Sequence, residues 1–352
     1  MTKVLVLSDQ QHLRRQLLIG QFQNIEFVFD TTTDYDYIAV IDSVEKELIC
    51  KVPTHKRILY IGEPPFIKPF PSSYLAQYGL VVGPYKLHHP HFKLSHPVLP
   101  WLVGNKKNLD ATFFQNFEES IEKRLNKFCI ITSNKCFTQG HRKRVAFIER
   151  VKEEYPDLLD IYGMGYQPIE DKFEVLSKYK YCLAIENCIC PNYWTEKIGD
   201  AFLTSCIPFY YGCPNIDDFF PKNSFIYLDI THYNQAIQCM QKALRGDFDS
   251  TITLEDAKKR ILFNYNVFER IKEELALHKS REAAIQTGFA HAFWAIMDSN
   301  ITTFIAALFL SILGTGPIKG FAYSLTIGVV SSVFTALFVS RLIFDSKLFE
   351  KV

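Results

Sequence analysis

Short apolar runs alternate with charged, helix-like stretches along the first three quarters of the chain, and near residue 266 that pattern gives way to long apolar segments. Runs rich in Val, Ile, Leu and Tyr occur at 36–41, 57–61, 80–83, 128–132, 159–162, 181–185, 208–211 and 224–228, and Val4, Leu5, Val6 and Leu7 open the chain in the same way. Apolar runs of this length read as buried strands. Helical stretches stand between them, notably at 117–127 and 142–154. The alternation predicts an α/β fold with parallel sheets and crossover helices. Nine or so strands exceed one small doubly wound sheet, and the polar stretch 105–122 is the natural seam. Two Rossmann-like lobes with a cleft between them are expected, at 1–120 and 126–265.

Between residues 284 and 340 only Asp298 and Lys319 are charged. Within that region 293–313 and 321–344 each reach the roughly 20 residues that a helix needs to cross a hydrocarbon core. A transmembrane hairpin with a tight turn at 314–320 is expected, preceded by amphipathic linker helices over 266–292. Lys272, Lys279 and Arg281 before the pair, and Arg341, Lys347 and Lys351 after it, put both ends on the cytoplasmic side. The plain alternative is a buried helical hairpin of a soluble protein. The amino terminus has one Lys and an apolar run too short for a signal sequence, so no targeting segment is expected there.

Composition narrows the partners. With 48% apolar and 22% charged residues the chain can bury a core, and a net charge of +1 leaves no basic field for nucleic acid. Nine cysteines without a C-x-x-C pair suggest neither a disulfide framework nor a zinc ribbon, so reduced thiols are expected. His88, His89, His91 and His96 crowd a Pro-containing loop, but their spacing puts no ligand set on one helical face. Cys188 and Cys190 lack His or Asp partners nearby and read as loop fillers. No carboxylate pair points to a metal-dependent reaction, and no metal or other cofactor is expected.

The densest functional cluster runs from Tyr179 to Lys197: a strand, a polar loop, then a helix start bearing Thr195, Glu196 and Lys197. Loops after the carboxyl ends of parallel strands line the ligand crevice, and helix amino termini there favour phosphate. On this reading Lys197 holds a diphosphate and Glu196 accepts hydrogen bonds from sugar hydroxyls, with Asn187 and Tyr193 beside them. The bland alternative is a capped helix with a solvated Glu–Lys pair.

The order of these residues resembles the signature of the α-1,3-fucosyltransferases, glycosyltransferase family 10. Ile185, Glu186 and Asn187 stand where that family has Phe-Glu-Asn, and Tyr193, Trp194, Thr195, Glu196 and Lys197 match its Tyr-x-Thr-Glu-Lys. Residues 207–214 and 220–226 also fit, in order and spacing. The resemblance implies a GT-B-type fold and GDP-fucose as donor, bound by Arg144, Asn187, Tyr193, Glu196 and Lys197. Arg142 competes with Arg144 for the diphosphate, and Glu186 is a further candidate for donor binding. Gly62, Glu63, Pro64 and Pro65 resemble the family's strand-end Gly-Glu that supplies the catalytic base. The implied reaction is an inverting transfer of fucose to the 3-hydroxyl of an N-acetylglucosamine or glucose unit in a surface oligosaccharide or polysaccharide.

From about residue 266 the chain resembles a second family, the SecD subunit of the protein-export machinery, through Phe268 to Leu275, Ala284 to Phe289, Asp298 to Thr303 and Gly314 to Phe321. The two resemblances meet at 265–270, which suggests a fused reading frame with residues 254–275 serving as the returning helix of the second lobe. That arrangement implies a bacterial inner-membrane location with the catalytic part in the cytoplasm, or a cytoplasmic protein if the tail is no anchor. Two other readings stay open: a non-enzymatic membrane component related to SecD, and a transferase using another nucleotide sugar.

Overall fold

Two wholly parallel sheets organise Met1–Lys272 in the computed structural model, which describes residues 1–339 except positions 10, 19–21, 23, 44–47, 65, 66, 100, 249 and 250. Strands β1 (Thr2–Ser8), β2 (Ile25–Val28), β3 (Tyr37–Ile41), β4 (Arg57–Tyr60), β5 (Leu80–Gly83) and β6 (Phe92–Leu94) pair in the order β2-β1-β3-β4-β5-β6. Strands β7 (Leu125–Ile131), β8 (Leu159–Tyr162), β9 (Tyr179–Ile185), β10 (Ile207–Tyr211) and β11 (Ile226–Tyr227) form the second sheet, ordered β11-β10-β9-β7-β8. Both sheets wind outward from their first strand in two directions. Their switch points, where α/β sheets bind ligands, therefore lie between β1 and β3 and between β7 and β9.

Every residue of β3 and β10 is buried, as expected of parallel strands covered on both faces. The second core is partly aromatic: the Phe128 ring stacks on Tyr181 at 5.0 Å and meets Phe209 edge-on at 4.8 Å. Strands β2 and β6 escape the sequence pattern because Glu26 and Lys93 interrupt their apolar character; both lie at or toward a sheet edge, where a polar side chain reaches water. The helix expected over 117–127 does not form. Asp110 caps a helix that ends at Asn116, and Arg124 donates to the carbonyls of Thr204 (2.6 Å) and Leu176 (3.3 Å), which draws the chain into β7 at Leu125.

The crossover between the lobes is held by buried charge. Asp200 accepts the amide hydrogens of Leu102 (2.9 Å) and Val103 (3.1 Å), and Asp171 those of Gly104 and Lys106, both at 2.7 Å. From the other side Arg15 donates to the carbonyls of Val103 (2.8 Å) and Leu109 (2.7 Å). Charge-assisted bonds of this kind are about twice as strong as neutral ones, so the segment is a fixed strap.

Helix Val267–Leu313 begins inside this first unit. The Asn266 amide donates to the Gln16 carbonyl at 2.8 Å, and the Phe268 ring meets Phe27 at 4.8 Å and Phe29 at 6.0 Å. Residues 254–272 run as a short helix Glu255–Lys259, a wide turn Arg260–Asn264 and then the start of the long helix, which meets the first lobe through Asn266 and Phe268.

The second unit is Glu273–Val352. Its linker and first apolar span are one uninterrupted helix rather than separate helices, because no proline breaks the run from Val267 to Leu313. Pro317 opens the next helix, Pro317–Phe334, so the turn is confined to 314–316 and not 314–320. Windows Ile296–Leu313 and Pro317–Phe334 have mean hydropathies of 1.7 and 1.2 and suffice by length and composition to cross a membrane. Phe304, Leu308, Phe309, Ile312, Phe321 and Ile327 are all exposed on them. Residues 340–344 of the second expected span lie outside the described residues, as do Arg341, Lys347 and Lys351 and the side chains of Lys279 and Arg281.

Candidate active site

The carboxyl ends of β7 and β9 open onto a cavity of about 580 Å³. Thr132 and Ser133 follow β7 on its wall and Asn187 follows β9, which is the switch point of the second sheet. Two helix starts complete it. Thr138 caps Gln139–Glu154 by accepting the His141 amide hydrogen at 3.1 Å, and Thr195 caps Glu196–Leu203. Gly140 lets the first of these approach: a Cβ there would lie 1.9 Å from the Asn187 carbonyl oxygen.

Arg144 lies six residues past the cap, buried, and donates from Nη1 to Asn187 Oδ1 at 2.6 Å. Its Nε is buried without a hydrogen-bond partner. Arg142, two residues earlier, falls on the solvent side of the same helix and donates to the Cys136 carbonyl at 3.2 Å. The helical period thus turns only Arg144 of the two toward the cavity.

Lys197 Nζ sits 3.2 Å from Glu186 Oε2, 3.5 Å from Glu196 Oε1 and 3.0 Å from Thr195 Oγ1. Burial alone would lower its pKa, but the Glu186 and Glu196 carboxylates raise it, so it stays a cation. Burial works against the Glu196 charge too, yet Lys197, Lys172, the Thr195 hydroxyl and the Glu196 amide bring that carboxyl down to about 2. Asn187, Glu196, Lys197 and Arg144 share the cavity wall with His141 and Lys172.

Two predicted residues stand elsewhere. The Glu186 carboxylate is wholly enclosed, accepting from the Thr195 amide (2.8 Å) and hydroxyl (2.8 Å) and pairing with Lys197, so it holds the helix cap rather than presenting itself to a ligand. Tyr193 is fully buried and off the cavity wall, and its hydroxyl donates to Glu63 Oε2 at 3.4 Å. Glu63 follows β4 in the first sheet, half-buried, within the field of Lys197. Burial raises its pKa, Lys197 opposes that, and Asp42, Glu196 and Glu186 add to it. A carboxyl raised in this way is a better proton acceptor than a solvated one. Pro65, the second proline after Glu63, lies outside the described residues.

The histidines do not assemble. His96 is buried against Trp194 (4.9 Å) and Tyr265 (4.7 Å), where burial pushes its pKa down to about 3, and His89 bonds the Tyr78 carbonyl oxygen at 3.0 Å. Among the described residues no group of three His, Cys, Asp or Glu is placed to hold a metal ion. Cys188 is half-buried near Glu63, its thiol pushed up to about 12 by burial. His141, Lys172, Asp171 and Asp200 were not singled out by sequence; the bonds that place Lys172, Asp171 and Asp200 reach across about 30 to 100 residues, while His141 is held by Thr138 three residues before it.

Two parallel sheets with a cavity at a switch point define a two-sheet α/β protein followed by two apolar helices. Residues 121–247 match the family model described as glycosyltransferase family 10 (fucosyltransferase), C-terminal, and residues 266–347 match that of protein export membrane protein SecD/SecF, C-terminal. The chain is 70% identical over 105 residues to the protein translocase subunit SecD of Treponema pallidum (strain Nichols), covering 28% of this chain and 18% of that one. Against the same subunit of Borreliella burgdorferi it is 46% identical over 110 residues, covering 29% and 19%. The chain thus spans about a fifth of the length of these relatives. A crystal structure of an α1,3-fucosyltransferase with GDP-fucose is similar at 18% identity and a TM-score of 0.44, over 75% of this chain and 82% of the other.

Proposed function

We propose that the chain is a glycosyltransferase that moves fucose from GDP-fucose to a glycan hydroxyl, anchored to the bacterial inner membrane by its apolar hairpin with the catalytic part in the cytoplasm. The observation that carries the reading is the cavity at the β7/β9 switch point, inside the family 10 segment, with Arg144, Asn187, Glu196 and Lys197 on its wall. In the proposed reaction Glu63 takes the proton of the acceptor hydroxyl, the freed oxygen attacks the anomeric carbon, and the bond to the GDP oxygen breaks with inversion. The pair electrons leave with GDP, whose diphosphate charge Arg144 and Lys197 offset. Preorganised donors of this kind are worth about 3 kcal/mol each when removed, and with two cations at the cavity no metal is required. The acceptor is read as the 3-hydroxyl of an N-acetylglucosamine or glucose unit in an oligosaccharide or polysaccharide.

Isothermal titration of the full chain in detergent with GDP-fucose, GDP-mannose and UDP-glucose tests the donor. Binding of GDP-fucose with GDP released in the presence of a glycan acceptor supports the proposal; preference for either other nucleotide moves it to a related transferase. Absence of binding to all three leaves the second reading, a non-enzymatic membrane component, which the 70% identity to a SecD subunit favours.

A further inference from the structure

We propose that Asp42 is a positioning residue for Glu63: its Oδ1 accepts the amide hydrogens of Gly62 (2.6 Å) and Glu63 (3.3 Å) and so sets the turn that aims the Glu63 carboxylate toward Tyr193 and Lys197. The inference rests on the reading of Glu63 as the proton acceptor. Asp42 is the first residue past β3 and Glu63 lies three past the end of the adjacent β4; the pairing of Ile41 with Tyr60 puts the two strand ends side by side. The Asp42 amide donates to the Tyr60 carbonyl at 2.7 Å, which ties its own backbone to the same strand end.

Asp42 has φ of 61°, the left-handed region, where an L residue other than Gly, Asn or Asp is costly. Gly62 lies against this carboxylate. A Cβ there would lie 3.2 Å from Asp42 Oδ2 and 2.2 Å from Leu99 Cδ2, so carboxylate and turn are in direct contact.

The electrostatics run the same way. Burial raises the Asp42 pKa, the Gly62 amide, Lys68 and the Glu63 amide lower it, and Asp9 beyond β1 raises it. Tyr74 and Tyr85 also face this carboxylate. Around Glu63 stand Lys197, Asp42, Glu196 and Glu186, with the Tyr193 hydroxyl, and with Tyr85 and Cys188 in its field. A charged Asp42 raises the Glu63 pKa, and removing that charge lowers it.

The test follows GDP release by the purified full chain from GDP-fucose, with N-acetyllactosamine as the acceptor probe, across pH. Asp42→Ala is expected to lower kcat about 10²-fold, the scale of a misplaced catalytic group, with KM for GDP-fucose within about twofold of wild type. Asp42→Asn keeps an oxygen acceptor without the charge; it is expected to recover about tenfold of that loss and to move the acid limb of the kcat profile to lower pH. A wild-type kcat in Asp42→Ala, or an unmoved acid limb in Asp42→Asn, overturns the assignment, and the second measurement decides alone if the alanine variant does not fold. Wild-type protein that releases no GDP, or Glu63→Gln at the wild-type rate, overturns the reading of Glu63 itself. An inactive Glu63→Gln beside an unaffected Asp42→Ala overturns only the role of Asp42.

Discussion

The Tyr193 hydroxyl reaches Glu63 Oε2 across the two sheets at 3.4 Å, joining the polar loop after β9 to the carboxylate after β4. Two residues 130 positions apart in the chain thereby meet beside Lys197. Removing the hydroxyl as Tyr193→Phe takes one hydrogen bond from the charged form of Glu63. The expected cost is about 1 kcal/mol, read as roughly a fivefold to tenfold fall in initial rate of fucose transfer. An unchanged rate separates Tyr193 from the reaction.

Arg144 and Arg142 offer a paired comparison on one helix. Arg144→Ala should weaken GDP binding by about tenfold to a hundredfold, the range for a charge-assisted contact, and Arg142→Ala should leave it within about twofold. Calorimetric titration with GDP distinguishes them, and equal losses in both would refute the assignment of the buried guanidinium to the diphosphate.

Glu196 carries a pH signature in stability. Its folded-state carboxyl is lowered from 4.5 to about 2 although burial opposes the shift, because Lys197 and Lys172 face it. A depressed carboxyl contributes stability above its unfolded pKa and loses it as pH falls toward the folded one. Glu196→Gln should therefore destabilise the protein most near pH 7, with the difference from wild type shrinking between about pH 4.5 and pH 2. Urea unfolding at stepped pH measures this; a constant difference contradicts it.

At Gly140 the neighbour is backbone, the Asn187 carbonyl oxygen 1.9 Å from where a Cβ would stand, and it has no rotamer to escape into. Gly140→Ala should cost at least about 1–3 kcal/mol by overpacking and should move Asn187, lowering GDP affinity at the same time. A stable variant that binds GDP normally would show that the helix start can back away freely.

Ending the chain after Lys272 should leave a soluble protein that binds GDP, whereas the full chain should sediment with membranes. Ending it at Tyr265, where the two sequence resemblances meet, should fail, since Asn266, Phe268 and Ile271 are buried in the first unit. Ultracentrifugation of lysates settles both; a full chain in the soluble fraction rejects the anchor.

The sequence by itself determined the parallel α/β character, the loop after β9 and the two apolar helices. Those features are local or periodic: a doubly covered strand such as β10 is apolar throughout, and each long apolar window carries a single charge, Asp298 or Lys319. What tertiary structure alone decided are the pairings. Glu186 and Lys197 look equally polar in sequence, yet the enclosed carboxylate of the first holds the Thr195 cap while the second lines the cavity. Asp42 follows an apolar run just as Glu63 does, and only the parallel pairing of β3 with β4 brings its oxygen onto the Gly62 amide. The same holds for 117–127, whose helical composition yields to the hydrogen bonds Arg124 makes some 50 to 80 residues further along the chain. Side-chain orientation and long-range hydrogen bonding depend on which strand ends come together, and no periodicity within one segment encodes that.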